Sequence, residues 1–217
     1  MMREIIKVVK EKLVAKYLKD GAIKNYSKRA KKFKPRIKAR LRKNKQIIGK
    51  NIGNFFDWIK GAELVELKEC NTKEDPVRPE LDNTFRRSYG RKIFGVKYKR
   101  EIHAVMCFAY TNEIPKSVEE LDIMSQDAHL QSTLRGQNVG KIAIAYTVWS
   151  KKKGGGKLIV KEVFNKIKKS NHLNRLVTLS PLTDMAYKFH IKNGAKLISV
   201  NETTQNFEYK VIKNKKY

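Results

Sequence analysis

An α/β domain containing antiparallel hairpins, preceded by a basic helical extension, is what this sequence predicts, and three observations carry the prediction. From residue 62 onward, short β-branched and aromatic runs alternate with segments of helical period, ending in the order strand, glycine loop, helix, strand, helix, strand. The charge is uneven: residues 1–50 carry 19 Lys and Arg against 3 Asp and Glu, and residues 51–217 carry 30 against 18, so the first quarter holds more than half of the net +28. At 217 residues and 41% hydrophobic content the chain has a genuine core to bury, hiding roughly 70% of its unfolded surface. The same figures exclude a collagen, a disulfide-stapled mini-protein and a wholly disordered tail.

The elements follow in order. Ile5, Ile6, Val9, Leu13, Val14, Tyr17 and Leu18 recur at helical spacing over residues 3–19 and stop at Asp20-Gly21, which predicts an amphipathic helix. Residues 24–45 are basic almost throughout, with only Tyr26, Phe33, Ile37 and Leu41 to bury and Pro35 as a breaker. They read as two short helices that need a partner, so an extension over 1–60 precedes a domain over 61–217. Residues 62–70 (AELVELKEC) read as a strand, followed by a polar loop with Pro76 and Pro79. Residues 91–98 and 101–111 read as two strands of an antiparallel hairpin, joined by a tight turn at Lys99-Arg100. Over 112–138 there is a loop at Pro115, an acidic run at 117–122 and a polar stretch without an assignable period. Residues 139–149 (VGKIAIAYTVW) are long and apolar enough for a buried central strand. KKKGGGK (151–157) then opens a helix with Leu158, Val160, Val163, Phe164 and Ile167 on its apolar face, ending at Lys168-Lys169-Ser170. RLVTLSPL (175–182) is the next strand, 183–193 a helix capped by Thr183 and stopped by Gly194, and KLISV (196–200) with FEYKVI (207–212) a closing hairpin.

Cys70 and Cys107 belong to no CxxC pair or Cys/His cluster and read as reduced, buried thiols. There is no run of 18 apolar residues and no uninterrupted apolar leader, so the expected localisation is cytoplasmic, without a transmembrane segment.

Chemistry concentrates at Gly154-Gly155-Gly156, between a predicted strand and a predicted helix. There the first amides of the helix are unpaired, the helix dipole favours an anion, and glycine lets a ligand approach the backbone. Lys151, Lys152, Lys153 and Lys157 add countercharge for a pyrophosphate. A P-loop is excluded, because no Ser or Thr follows Lys157, and GxGxxG is absent.

KKKGGG (151–156) resembles the Q/R-x-x-G-x-G/A signature of the GNAT superfamily of acyl-CoA N-acyltransferases, with Lys151 in the Gln/Arg place. AYKFHIKNGA (186–195) is similar to the family's second signature, A-x-x-x-Y-x-x-x-G-F, with Ala186, Gly194 and Ala195 in register. The resemblance implies a mixed, mostly antiparallel central sheet flanked by helices, and acetyl-CoA or another acyl-CoA as the bound partner. It further implies two central strands that splay apart, with the main chain of Tyr146, Thr147 and Val148 along the pantetheine arm and the amides of 153–157 on the phosphates. The implied chemistry is acyl transfer to an amine of unknown identity. His190 stands where many members have the tyrosine that protonates the CoA thiolate, and Thr183 where they have an Asn. Histidine also donates protons near neutral pH, although the plainer reading of His190 is one flank of a packed helix. Asp127, His129, His103 and Glu113 are candidates for the base.

Residues 178–186 (TLSPLTDMA) also look like the S-L-S-P segment of malonyl-CoA decarboxylases, whose catalytic domain shares that fold. On that reading Ser180 and His190 protonate the enolate left by loss of CO2, although the histidine partner of that family lies much further along the chain. The plainer reading of Ser180-Pro181 is a strand end with a turn-forming proline.

The basic extension predicts sequence-independent binding of nucleic acid, or another polyanion, through residues 1–50. Lys28, Arg29, Lys31, Lys32, Lys34, Arg36, Lys38, Arg40, Arg42 and Lys43 would contact phosphates while Tyr26 and Phe33 stack. Two classes of function therefore stand: an acyltransferase whose basic arm recruits an acidic or nucleic-acid-associated substrate, and a catalytically inactive binding protein on the same fold.

Overall fold

The computed structural model describes residues 43–44, 57–136 and 140–211. The helix expected over 3–19 and the basic residues Lys28 to Arg42 lie outside the described residues. Among those described, no helix is long and apolar enough to cross a membrane.

Among the described residues, seven strands form one sheet: β1 (Glu63–Leu67), β2 (Lys92–Tyr98), β3 (Glu101–Thr111), β4 (Ile142–Ser150), β5 (Arg175–Pro181), β6 (Lys196–Val200) and β7 (Thr204–Tyr209). Their spatial order is β1-β2-β3-β4-β5-β7-β6, and every neighbouring pair is antiparallel except β4 with β5. The mixed, mostly antiparallel sheet flanked by helices is thus present. Lys99 and Arg100, at φ 48° and 70°, form the tight turn of the β2–β3 hairpin.

Alternation along the strands divides the core between two faces. Phe94, Val96, Met106, Phe108, Ala145 and Phe207 point one way and meet Leu158, Ile159, Val163 and Ile167 of α3 (Gly155–Lys169). Trp58, from a helical turn at 57–61, is fully buried in the same cluster. Ile93, Val105, Cys107, Ala109, Ile144 and Val177 point the other way, against Leu121 of α2 (Val118–Arg135) and Phe85 of α1 (Asn83–Arg87).

Helix α2 occupies the stretch for which the sequence offered no period, and the reason is visible in its burial. Leu121, Ser125 and Ala128 face the sheet, whereas Ile123, Leu130 and Leu134 are exposed, so apolar residues mark both sides. Its ends carry ordinary signals. Ser117 accepts from the Glu120 amide at 3.2 Å, Glu120 accepts from the Lys116 amide at 2.7 Å, and Gly136 closes the helix at φ 64°. The last strand begins at Thr204 rather than at residue 207. A turn closed by the Asn201 amide on the Thr204 carbonyl, at 2.8 Å, starts it earlier, and buried Thr204, Gln205 and Asn206 fill it with polar residues.

Candidate functional site: a cleft between two parting strands

Strands β4 and β5 pair only from Ile142↔Arg175 to Ala145↔Thr178. They part at a bulge in β4, where Cys107 opposes Thr147 and Phe108 opposes Ala145, so that Tyr146 is the extra residue. A bulge bends its strand, and this one turns residues 146–150 away from 179–181. The opening is a cleft of about 550 Å³. Tyr146, Thr147, Val148, Lys151, Gly156, Ser180, Thr183 and His190, all singled out in the sequence, line it. Its apolar walls come from Met106, Val160, Leu179, Ala186 and Phe189.

The three glycines at its mouth serve three ends. Gly154, the N-cap of α3, has φ 86°, a left-handed conformation that costs an L-residue roughly 1–2 kcal/mol. A Cβ on Gly155 would stand 3.0 Å from the Ser150 Cβ and 3.3 Å from the Ala104 Cβ, so its absence lets α3 start against β3. A Cβ on Gly156 would stand 3.1 Å from Phe189 Cε2, on the cleft side. The Gly155 amide donates to the Lys152 carbonyl at 2.9 Å and the Leu158 amide to the Gly154 carbonyl at 3.0 Å. Helix geometry leaves the amides of Gly156 and Lys157 without an i−4 carbonyl, as an anion site requires. Two of the lysines are engaged elsewhere: Lys151 Nζ lies 2.7 Å from Glu74 Oε2, and Lys152 Nζ sits 5.0 Å from the ring centroids of both Trp58 and Tyr98. Lys153 and Lys157 are exposed.

Deeper in the cleft, Ser180 and His190 meet. The α4 helix (Asp184–Lys192), capped by the Thr183 hydroxyl on the Ala186 amide, turns His190 toward the end of β5, and its Nε2 lies 2.9 Å from Ser180 Oγ. Ser180 Oγ is also 3.0 Å from Thr178 Oγ1, and His190 Nδ1 is 2.9 Å from the Tyr209 hydroxyl. The imidazole stacks on Phe207, centroids 4.8 Å apart, and is only 4% exposed. Burial pushes it down to about 4, so at neutral pH it is uncharged and has one nitrogen to donate and one to accept. Burial likewise pushes the Tyr209 hydroxyl up. Tyr209 and Thr178 carried no signal in the sequence beyond alternation within their strands.

The loop from β1 to α1 makes the opposite wall with Glu74, Pro76 and Val77. A buried network holds it: Asp75 accepts from Thr147 Oγ1 and from Arg86 Nη2, each at 2.8 Å, and Arg78 donates to the Tyr146 carbonyl. That carbonyl is therefore occupied by a side chain, which leaves Thr147 and Val148 as the main chain along the cleft. None of the four base candidates lines it. His129 borders a separate cavity between α2 and α3, His103 one near β1, and Asp127 and Glu113 are exposed. The titratable groups that do line the cleft are Glu74, Tyr146, Lys151, His190 and Tyr209.

No protein-family model and no curated protein matches the chain. Solved structures do. Malonyl-CoA decarboxylase from Agrobacterium vitis is similar over 73% of this chain at 14% identity and a TM-score of 0.54, and the chain spans 63% of that protein's length. The GNAT-like decarboxylase GphF, in complex with isobutyryl-CoA, is similar over 69% of this chain and 100% of its own at 9% identity and a TM-score of 0.55. The loading GNATL domain of CurA from Lyngbya majuscula is similar over 69% and 98% at 12% identity and a TM-score of 0.50. At these identities the likeness is one of fold, and the fold is that of the GNAT acyl-CoA N-acyltransferases.

Proposed function

We propose that this chain binds an acyl-CoA in the cleft between β4 and β5 and transfers the acyl group to an amine. The supporting observation is the parting of the strands at Tyr146 with the first amides of α3 at the mouth of the gap. A narrow, mainly apolar slot that ends at unpaired helix amides suits a thin polar arm carrying a diphosphate. The Gly156 and Lys157 amides would take the diphosphate and the main chain of Thr147 and Val148 the pantetheine amides, which places the thioester near Ser180. Bound this way, the thioester carbonyl and an amine entering past Glu74 are held for direct attack. The test is the release of CoA thiol from acetyl-CoA, with spermine and lysine-rich peptides as acceptors and mass detection of the acylated amine. Acetyl-CoA that stays intact, with no acylated product on either acceptor, counts against transfer.

The contact between Ser180 and His190 favours a second reading, a decarboxylase, since a serine hydroxyl backed by imidazole can protonate an enolate. Incubation with malonyl-CoA separates the two readings, because only a decarboxylase yields acetyl-CoA and CO2 without an acceptor. The basic residues 24–45, outside the described residues except for 43 and 44, supply the attraction for an acidic or nucleic-acid-bound acceptor. Binding to nucleic acid that neither salt nor deletion of residues 1–50 weakens would remove that part of the proposal.

A further inference from the structure

The four hydroxyl and imidazole groups behind the cleft form one line, from Thr178 through Ser180 and His190 to Tyr209. Ser180 and Tyr209 both line the cleft, so the line begins and ends at the same space. A neutral imidazole between two hydroxyls has two arrangements of equal charge. In one, Ser180 donates to Nε2 and Nδ1–H donates to Tyr209; in the other, Tyr209 donates to Nδ1 and Nε2–H donates to Ser180. Thr178 accommodates either, because its hydroxyl can accept from Ser180 or donate to it.

We infer that Ser180, His190 and Tyr209 act as a neutral proton relay that carries the proton of the attacking amine to the departing thiolate through an exchange of His190 tautomers. The step rests on the transferase reading above. As the amine nitrogen bonds to the acyl carbon and the C–S bond breaks, the nitrogen must lose one proton and the sulfur must gain one. Ser180 takes the amine proton and passes its own to His190 Nε2. Nδ1 passes its proton to Tyr209, and Tyr209 gives its own to the sulfur. One proton has moved, the bonds balance, and no charge is left on the chain. The geometry accounts for a histidine buried among Phe189, Phe207 and Tyr209, a setting that would be costly for an imidazolium. It also gives a role to the Tyr209 hydroxyl, which meets the buried His190 Nδ1 at 2.9 Å.

Nitrogen-15 spectra of the full chain labelled at histidine, without and with acetyl-CoA, test the inference together with turnover of acetyl-CoA on spermine. Among the four histidines, His190 is assigned by the signals lost in His190→Gln. A buried N–H without an acceptor costs more than a buried lone pair without a donor. Tyr209→Phe should therefore move the proton to Nε2, and Ser180→Ala should move it to Nδ1. A structural network would do the same, so the kinetic result decides the role: Tyr209→Phe is expected to lower kcat roughly 100-fold with the KM for acetyl-CoA unchanged. A Tyr209→Phe variant that turns over like the wild type, or tautomers that neither variant shifts, would overturn the relay and leave the transferase reading standing. A wild-type chain that binds acetyl-CoA but acylates no amine would instead overturn that reading.

Discussion

Arg78 donates to the main-chain carbonyl of Tyr146, the one residue of β4 that the bulge leaves unopposed. A side chain thus holds the strand where its sheet neighbour lets go. Asp75, which accepts from the Arg78 amide at 3.2 Å, also accepts from Thr147 and Arg86, so one carboxylate fixes the loop, the bulge and a fully buried guanidinium. Replacing Asp75 with Asn leaves the Arg86 charge uncompensated at 0% exposure and should cost about 3–5 kcal/mol. Urea unfolding at neutral pH measures it. A loss below about 1 kcal/mol would mean that the hydrogen bonds of Arg86 to the Leu81 and Arg78 carbonyls suffice without the carboxylate.

The glycine loop separates stability from binding. Gly155→Ala puts a methyl 3.0 Å from the Ser150 Cβ and should destabilise the fold by roughly 1–3 kcal/mol. Gly156→Ala is crowded by the edge of the half-buried Phe189 ring, which can turn aside into the cleft, while Ser150 Oγ stands at an ordinary 3.9 Å. Its expected signature is a melting temperature close to wild type with weakened stabilisation by acetyl-CoA. Equal losses of stability in both variants would contradict this division.

On the proposed reading, Glu74 would compete with the diphosphate for Lys151, the lysine it pairs with. The pair is 2.7 Å apart with its side chains 35% and 52% exposed, and the hydrogen bond from Lys151 holds the Glu74 carboxyl below the usual carboxylate range. An exposed pair is worth little and is screened by salt. Glu74→Gln should therefore tighten CoA binding about two- to fivefold at low ionic strength, with the gain disappearing in concentrated salt. Titration calorimetry at two salt concentrations checks it. A weaker complex in the variant would show that Glu74 itself contacts the ligand.

His190 gives stability a pH dependence of known sign. Its folded value of about 4 lies below the ordinary 6.5, so between these values the unfolded chain binds a proton that the folded chain refuses. Stability should fall as pH drops from about 6.5 toward 4, by about 3 kcal/mol from this group, and be unaffected by it above 6.5. In His190→Gln that part of the slope vanishes, as urea midpoints at pH 7.5, 5.5 and 4.5 would reveal. Identical slopes in the two proteins would place the imidazole in solvent.

Where residue type dictated geometry, the sequence was informative. The β2–β3 hairpin, the buried run of β4, the glycine entry to α3 and the Thr183 cap of α4 all stand within a few residues of their expected positions. Ser180 and His190 were each marked out by a family resemblance, which also named them together. Their 2.9 Å contact was not legible from spacing, because ten residues of separation specify no distance until β5 and α4 are packed. The acid–base set was not legible either: Asp127, His129, His103 and Glu113 have suitable chemistry, yet topology sends them to other surfaces. Helix α2 escaped because its apolar residues line two faces, and the Asp75 clamp escaped because a loop with two prolines gives no sign of burial.

The most direct test of the account is the stability of the purified chain in the presence of acetyl-CoA, compared with the Gly156→Ala variant. Ligand at 100 times its dissociation constant should add about 2.7 kcal/mol to the wild type, with a smaller gain in the variant. A wild-type chain whose unfolding is unchanged at millimolar acetyl-CoA would contradict a thioester-binding cleft between β4 and β5.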